Sequence, residues 1–272
     1  MDLIFFDLDG TLLNSESEIS CFTKEILAKL SENGIAYSAA TGRTMLTGTS
    51  ILKGNGFKLP QVFSNGVTIW DPRTDSLSLE HLLSLSDVSI VTQTAASLGV
   101  TPFVHAVDNI NYFIYHNSPQ HDFEKDLISA HYQSTKANIM SLDKLSDLSQ
   151  VTNVSMIGVA SAIDEIQNEL KKNNNLVYYS GPAMEGSEFK WMDIHHYRAS
   201  KGAAVKKIKE RLNATNLICF GDSDNDLSMF RISDESYAPA NAKAKLKEAA
   251  NEVVDSNDRD GIAHFLKQRF SL

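Results

Sequence analysis

Short, fully apolar runs constrain the fold of this chain more than any other feature. The first run, Leu3-Ile4-Phe5-Phe6, contains only apolar residues, which is typical of a central parallel strand covered by helices on both faces. Helical periodicity follows over 17–33, then a strand over 35–39, a helix over 44–53 and a third strand over 62–64. This alternation of strands and helices predicts a doubly wound parallel sheet.

The pattern changes after residue 66. Two short strands at 67–70 and 77–79 flank Asp71-Pro72-Arg73-Thr74-Asp75, which predicts an antiparallel hairpin. The strands that follow alternate polar and apolar residues, as in a sheet with one solvated face. The predicted elements are helices at 87–98, 123–132 and 163–172, and strands at 102–107, 112–115, 153–159 and 176–180. We therefore expect residues 80–187 to form an inserted α+β domain.

The doubly wound pattern returns after the inserted segment. Its predicted elements are a strand at 189–193, a helix at 201–212, an apolar strand at 217–220, and helices at 225–230 and 261–269. The expected fold class is therefore α/β, with a doubly wound, Rossmann-like parallel-sheet core. Residues 1–79 and 188–272 would form this core, and the α+β domain would interrupt it.

Composition and charge exclude several classes of function. The 272 residues are 42% hydrophobic, which is enough for two folded domains. A net charge of −9 without a basic run argues against a nucleic acid partner. The chain shows no basic, apolar leader, and no stretch reaches the roughly 18 apolar residues that a membrane span needs. We therefore expect a cytoplasmic protein without a membrane partner, either a monomer or a weak homo-oligomer.

Two acidic clusters directly follow apolar strands. They are Asp7-Leu8-Asp9-Gly10-Thr11 and Gly221-Asp222-Ser223-Asp224-Asn225-Asp226. Because the carboxyl ends of parallel strands meet at one sheet edge, we expect these carboxylates to converge. A single aspartate after a strand is often only a helix cap or turn former. Several converging carboxylates, however, repel one another unless a cation lies among them, which predicts Mg²⁺ bound by oxygen ligands.

Two further patterns predict an anion site at the start of a helix. Thr41-Gly42-Arg43 offers a hydroxyl and backbone N–H groups before a helix, although a turn and cap can have the same sequence. Lys201-Gly202 opens another helix, where the helix dipole disfavours a cation. A lysine in that position is explained either by an anionic ligand or by simple exposure on the first turn.

Taken in order, these four motifs resemble those of the haloacid-dehalogenase-like superfamily, and specifically its Cof-type phosphatases. Further pairs that resemble the subgroup are Asn65-Gly66, Asn241-Ala242 and Asp260-Gly261. A large α/β cap between the second and third motifs is its layout, so the resemblance implies that the inserted domain is a substrate lid. The chain departs from the subgroup at Ala238-Pro239-Ala240 and at 195–200. These departures leave the catalytic positions intact and bear on substrate preference.

The resemblance also implies a reaction and its residues. Asp7 would be the nucleophile that forms an aspartyl-phosphate, and Asp9 would be the general acid and then the general base. The implied ligands of Mg²⁺ are Asp7, Asp9 through its backbone carbonyl, Asp222 and Asp226. The implied phosphate-binding residues are Thr41, Gly42, Lys201 and Asn225. Candidate substrate-binding residues are Arg43, Asn65 and Glu185. The expected substrate is a small phosphorylated metabolite, in the first place a sugar phosphate.

Two alternative functions remain open at this point. Relatives with this layout include phosphohexomutases, which transfer a phosphoryl group between sugar hydroxyls. A non-catalytic phospho-acceptor module would instead carry a phosphoryl group on Asp7 as a signal. Asp9 argues against the second alternative, because such a module does not need an acid for an alcohol leaving group.

Overall fold

The computed structural model describes residues 1–108, 111–129, 135–183 and 186–272. The chain divides into two compact units. The first unit comprises Met1–Ser78 and Ser200–Leu272, and the second unit comprises Leu79–Ala199. Within the described residues, every helix is too short or too polar to cross a membrane.

The chain before the second unit contains five strands and two helices. In chain order they are β1 (Asp2–Phe6), α1 (Cys21–Glu32), β2 (Ala36–Ala39), α2 (Met45–Leu52), β3 (Gln61–Phe63), β4 (Thr68–Asp71) and β5 (Ser76–Leu79). Helix α1 starts later than the periodicity predicts, because Ser17 has a positive φ of 60°. The Ser20 side chain then caps the helix by accepting a hydrogen bond from the Thr23 N–H at 2.9 Å.

The second unit is a mostly antiparallel sheet with two of its helices packed against it. Its elements are α3 (Leu85–Ser97), β6 (Phe103–Asp108), β7 (Asn111–His116), α4 (Asp122–Leu127), β8 (Asn138–Ser141), β9 (Gln150–Val159), α5 (Ala160–Leu170), β10 (Leu176–Ala183) and β11 (Gly186–His196). The strand order is β10-β11-β9-β6-β7-β8, and β7 and β8 pair in parallel. Val91 of α3 and Ile166 of α5 belong to the same buried cluster as Val154 and Ile194 of the sheet. Helix α4 overlaps the helix predicted at 123–132 and begins one residue earlier, while residues 130–132 lie outside the described part of the chain.

The rest of the first unit returns to alternating helices and strands. The elements are α6 (Lys201–Arg211), β12 (Asn216–Phe220), α7 (Leu227–Phe230), β13 (Glu235–Pro239), α8 (Ala244–Ala249), β14 (Glu252–Val254) and α9 (Gly261–Arg269). Five strands from both halves form one parallel sheet in the order β14-β13-β12-β1-β2. This sheet and the antiparallel second unit confirm the predicted α/β class with an inserted α+β part.

Strand β1 is apolar from Leu3 to Phe6 because both of its faces are covered. Ile4 and Phe6 belong to a buried cluster that includes residues of α1 and α9. Leu3 and Phe5 belong to a second cluster, which includes Val205 of α6. All four strand side chains are fully buried, so each contributes about 1.5–3 kcal/mol to the free energy of folding.

The predicted third strand does not enter the five-stranded sheet. Strand β3 pairs antiparallel with β4 in a separate sheet of order β3-β4-β5. An isolated parallel bridge joins Ala40 to Val62. Ser64 and Asn65 both have positive φ values, 46° and 53°, and turn the chain back directly after β3. The turn at Ser64 and Asn65 therefore directs β3 to pair with β4 in a hairpin.

The prediction that a strand at 189–193 returns to the parallel core is wrong. These residues lie in β11, which pairs antiparallel with β9 and β10 in the second unit. The first unit therefore resumes at Ser200 and not at residue 188. Met192 and Ile194 are fully buried in the apolar cluster of the second unit, while Asp193 between them is not part of that cluster. This alternation is typical of a strand with only one face on the core.

Candidate active site

The carboxyl ends of β1 and β12 bring three aspartates together. The two strands are parallel neighbours, and the Asp7 N–H donates to the carbonyl of Phe220 at 3.0 Å. Asp7, Asp222 and Asp226 each offer a carboxylate oxygen, and these oxygens lie within 4.8 Å of one another. We call these three residues the carboxylate cluster.

The turn after β1 allows a close approach to the carboxylate cluster. Gly10 has a φ of +72°, and a Cβ on it would lie 2.7 Å from Oδ2 of Asp222. The next residue, Thr11, donates its hydroxyl proton to Oδ1 of Asp222 at 3.1 Å. The backbone N–H groups of Asp222 and Ser223 both donate to Oδ2 of Asp226 at 3.0 Å. Glycine at position 10 is therefore required by both the backbone conformation and the space available.

Lys201 lies between two members of the carboxylate cluster. Its Nζ is 2.7 Å from Oδ1 of Asp7 and 2.7 Å from Oδ1 of Asp226. The side chain is fully buried, so its position is not the exposed first turn that the sequence left open. Ser200 caps α6 by accepting from the Ala203 N–H at 3.1 Å, which fixes the start of the helix and hence the lysine.

The buried charges of this site perturb one another. Burial raises the pKa of Asp7 well above its usual value, and the charge of Asp226 raises it further, although Lys201 opposes both effects. Burial and Asp226 also raise the pKa of Asp222. Burial alone would lower the pKa of Lys201, but the charges of Asp226 and Asp7 outweigh it and raise that pKa. When all groups are ionised, three carboxylates face one ammonium, so the residues fit a divalent cation with oxygen ligands.

The loop after β2 carries the predicted phosphate-binding residues. Thr41 is fully buried, and its Oγ1 accepts from the Arg43 N–H at 3.0 Å. Its carbonyl accepts from the Asn65 N–H at 3.1 Å. A Cβ on Gly42 would lie 3.3 Å from Oδ1 of Asn65, and that oxygen accepts from Nδ2 of Asn225 at 2.9 Å. The structure thus brings these residues together around one turn.

The Asp9 carboxylate has a partner that the sequence did not predict. Arg43 binds it through two groups, with Nε donating to Oδ2 at 2.7 Å and Nη2 donating to Oδ1. Hydrogen bonding to Asp9 raises the pKa of Arg43. Arg43, predicted to bind substrate, thus pairs with the predicted general acid.

Several residues around the site escaped the sequence reasoning. Thr11 and Ser223 donate to Asp222, and both belong to the motifs already singled out, so their place in the motif was the available signal. Asn241, noted in sequence for its Asn-Ala pair, donates Nδ2 to the carbonyl of Gly10 at 2.7 Å. Glu185, predicted to bind substrate, lies outside the described residues.

Comparison with known proteins gives a consistent family. The sequence model of the haloacid dehalogenase-like hydrolase family matches residues 4–266 of this chain. The chain is 28% identical over 274 residues to the 5-amino-6-(5-phospho-D-ribitylamino)uracil phosphatase YitU of Bacillus subtilis, covering 99% of this chain and 98% of that protein. It is 27% identical over 297 residues to the phosphatase YwpJ of Bacillus subtilis, covering 98% of this chain and 99% of that protein.

The fold is also similar to that of solved structures. One is the sugar phosphatase BT4131 of HAD subclass IIB, with a TM-score of 0.80, 20% identity and full coverage of both chains. The similarity to this structure shows the fold, while the family model spans nearly the whole sequence. The chain is therefore an enzyme of the haloacid dehalogenase-like hydrolase family.

Proposed function

We propose that this enzyme is a Mg²⁺-dependent phosphomonoester hydrolase that acts on small phosphorylated metabolites through an aspartyl-phosphate. The observation that carries the proposal is the buried Lys201, which bridges Asp7 and Asp226 at the sheet edge where Asp222 also lies. This arrangement supplies a carboxylate nucleophile and a fixed cation for a phosphate dianion. Both curated relatives described above are named phosphatases.

The carboxylate cluster and the backbone carbonyl of Asp9 would hold the Mg²⁺. All of these donors are oxygen atoms, which Mg²⁺ prefers. The bound ion would neutralise charge on the transferring phosphoryl oxygens. The ion and Lys201 together would also offset the repulsion between a chain of net charge −9 and an anionic substrate.

Asp7 and Asp9 divide the bond-making and proton-transfer steps between them. A carboxylate oxygen of Asp7 forms a bond to phosphorus as the ester P–O bond breaks, and Asp9 gives a proton to the leaving oxygen. Water then attacks phosphorus and gives a proton to Asp9, and the bond between phosphorus and the Asp7 oxygen breaks. The products are an alcohol and inorganic phosphate, and Asp7 is regenerated.

The proposed phosphate-binding groups all have a proton to donate. The Thr41 oxygen accepts from Arg43, so its own O–H can still donate to a phosphoryl oxygen. Asn225 uses one amide N–H on Asn65 and retains a second. With the Gly42 N–H and the Lys201 ammonium, these groups would stabilise the charge of the transition state.

We further propose a sugar or polyol phosphate as the substrate. The relative YitU is named for a substrate with a phosphoribityl group, and BT4131 is described as a sugar phosphatase. The second unit, Leu79–Ala199, would choose among such substrates as a cap domain. Asn65 and Glu185 are proposed contacts to the substrate, whereas the guanidinium of Arg43 is already paired with the Asp9 carboxylate.

The direct test is phosphate release from a panel of sugar phosphates, nucleotides and 4-nitrophenyl phosphate. Each ester is tested with Mg²⁺ and with EDTA, using the wild-type chain and Asp7→Asn. Release that requires both Mg²⁺ and Asp7 supports the proposal. Interconversion of hexose phosphate isomers without phosphate release would support a mutase, and labelling of Asp7 without turnover would support a phospho-acceptor module.

A further inference from the structure

The ion pair between Asp9 and Arg43 has a geometry that fixes a carboxylate in space. Asp9 lies in the turn over Leu8–Leu12, and its side chain is 53% exposed. An exposed aspartate without a partner rotates freely about its side-chain bonds. Two guanidinium N–H groups bound to two carboxylate oxygens set both the direction and the plane of the carboxylate.

Arg43 is itself anchored on both sides of its backbone. Its N–H donates to Oγ1 of Thr41 at 3.0 Å, and its carbonyl accepts from the N–H of Ser64 at 2.9 Å. The side chain is only 25% exposed. The guanidinium therefore links Asp9 to the loop that carries the proposed phosphate-binding residues, although 34 positions separate the two residues in sequence.

We propose that Arg43 is a positioning residue that holds the Asp9 carboxylate for the hydrolysis of the aspartyl-phosphate, an inference that rests on the proposed function. In that step, water forms a bond to phosphorus, the bond from phosphorus to the Asp7 oxygen breaks, and the water proton moves to Asp9. To accept this proton, Asp9 must be ionised, and the ionised carboxylate is the form that a guanidinium pairs with. Each oxygen of Asp9 keeps a lone pair for the water proton.

This role predicts a different effect on the two halves of the reaction. With 4-nitrophenyl phosphate, the leaving group departs as a stable anion, so formation of the phosphoenzyme does not require a proton from Asp9. Hydrolysis of the phosphoenzyme still requires a positioned base. Loss of Arg43 should therefore slow the second step and leave the first step nearly intact.

The experiment compares the wild-type chain with Arg43→Gln and Arg43→Lys in a rapid-mixing assay with 4-nitrophenyl phosphate and Mg²⁺. We expect Arg43→Gln to release about one equivalent of nitrophenolate in a burst, followed by turnover slowed about 10- to 100-fold, a part of what general acid–base catalysis contributes. When only hydrolysis of the phosphoenzyme is slowed, kcat and KM decrease by the same factor, so kcat/KM should stay near the wild-type value. Intact-mass analysis should show the accumulated phosphoenzyme, and Arg43→Lys should restore turnover in part because lysine offers a point charge without the fork.

The matched control is Arg73→Gln. Arg73 also binds an aspartate through two groups, Asp71, at 3.0 Å and 2.8 Å, but it lies at the β4 end of the hairpin, and Arg211 still pairs with Asp71 when Arg73 is replaced. This variant should turn over like the wild type.

Three results would overturn the inference. A higher KM with a lower kcat/KM and no burst in Arg43→Gln would show that Arg43 binds the substrate. Unchanged turnover in that variant would show that Asp9 needs no such partner. A wild-type chain that hydrolyses no ester and forms no phosphoenzyme would refute the proposed function itself, and the inference with it.

Discussion

Replacing Lys201 with methionine tests how the buried charges of the site are balanced. Methionine keeps most of the volume of the side chain but removes the ammonium that lies 2.7 Å from both Asp7 and Asp226. Both carboxylates then remain buried without that cation. Removal of one partner from a buried ion pair costs about 3–5 kcal/mol, because the remaining charge is neither solvated nor paired.

That loss is large compared with the total stability of a domain, about 5–15 kcal/mol. For a unit of this size, each kcal/mol changes Tm by about 2–4 °C, so we expect Tm to fall by about 6–20 °C in EDTA at pH 8. The pKa of Asp7 is already raised in the folded chain, and it should rise further without Lys201. A group with a raised folded pKa binds protons more readily in the native state, so lowering the pH stabilises the variant relative to the wild type.

The assay is thermal unfolding followed by circular dichroism from pH 8 to pH 5, with EDTA present throughout. Lys206→Met is the matched control, since Lys206 lies on the same helix α6 with a side chain that is 64% exposed. Its loss should cost less than about 1 kcal/mol. If Lys201→Met melts like this control, or if its difference from the wild type does not shrink as the pH falls, the charge balance described above is wrong.

Four further predictions concern other residues of the two units. Asp7→Asn and Asp9→Asn should each reduce phosphate release from a sugar phosphate to background with an unchanged circular dichroism spectrum; substantial activity in either variant would contradict the mechanism. Asp222→Asn should raise the Mg²⁺ concentration for half-maximal activity at least about tenfold, measured by metal titration. Gly202→Ala should destabilise the chain by about 1–3 kcal/mol in urea, because its Cβ would lie 2.1 Å from a backbone carbonyl oxygen of α7. Burial lowers the pKa of His105 from 6.5 to about 4, so as the pH falls the unfolded chain takes up this proton before the folded chain does. The free energy of unfolding should therefore fall by up to about 3 kcal/mol between pH 6.5 and pH 4, and His105→Gln should reduce this pH dependence.

The parallel core was predictable where local pattern and tertiary role agree. Strands β1 and β12 are apolar on both faces because both faces are buried, so their sequence reports their environment directly. Strand β13 escaped prediction because Glu235, Ser236 and Pro239 leave only Tyr237 and Ala238 as an apolar run. Its place in the sheet is set by pairing with β12, which the local sequence does not encode. The same reasoning explains β11, whose partner strands lie in the second unit.

The site was predictable to the extent that it depends on strand ends. The convergence of the carboxylate cluster follows from the parallel order of β1 and β12, which the sequence already indicated. The pairing of Asp9 with Arg43 depends instead on two turns whose side-chain directions no local pattern specifies. The pairing of Asn65 with Asn225 also depends on two turns. Asn65 has a φ of 53°, and its side-chain amide accepts a hydrogen bond from the turn that carries Asn225.

The described residues proposed for chemistry all belong to the first unit, although the second unit interrupts it between Ser78 and Ser200. The second unit can therefore be replaced in evolution without changing the catalytic residues, because every member of the carboxylate cluster stays attached to the sheet of the first unit. The junction itself is the exception. Ser200 caps α6 and Lys201 follows at once, so any exchange of the insert must rejoin the chain without shifting this helix start. If an exchanged insert shifted this helix start, Lys201 would be displaced from Asp7 and Asp226 even where the first unit still folded.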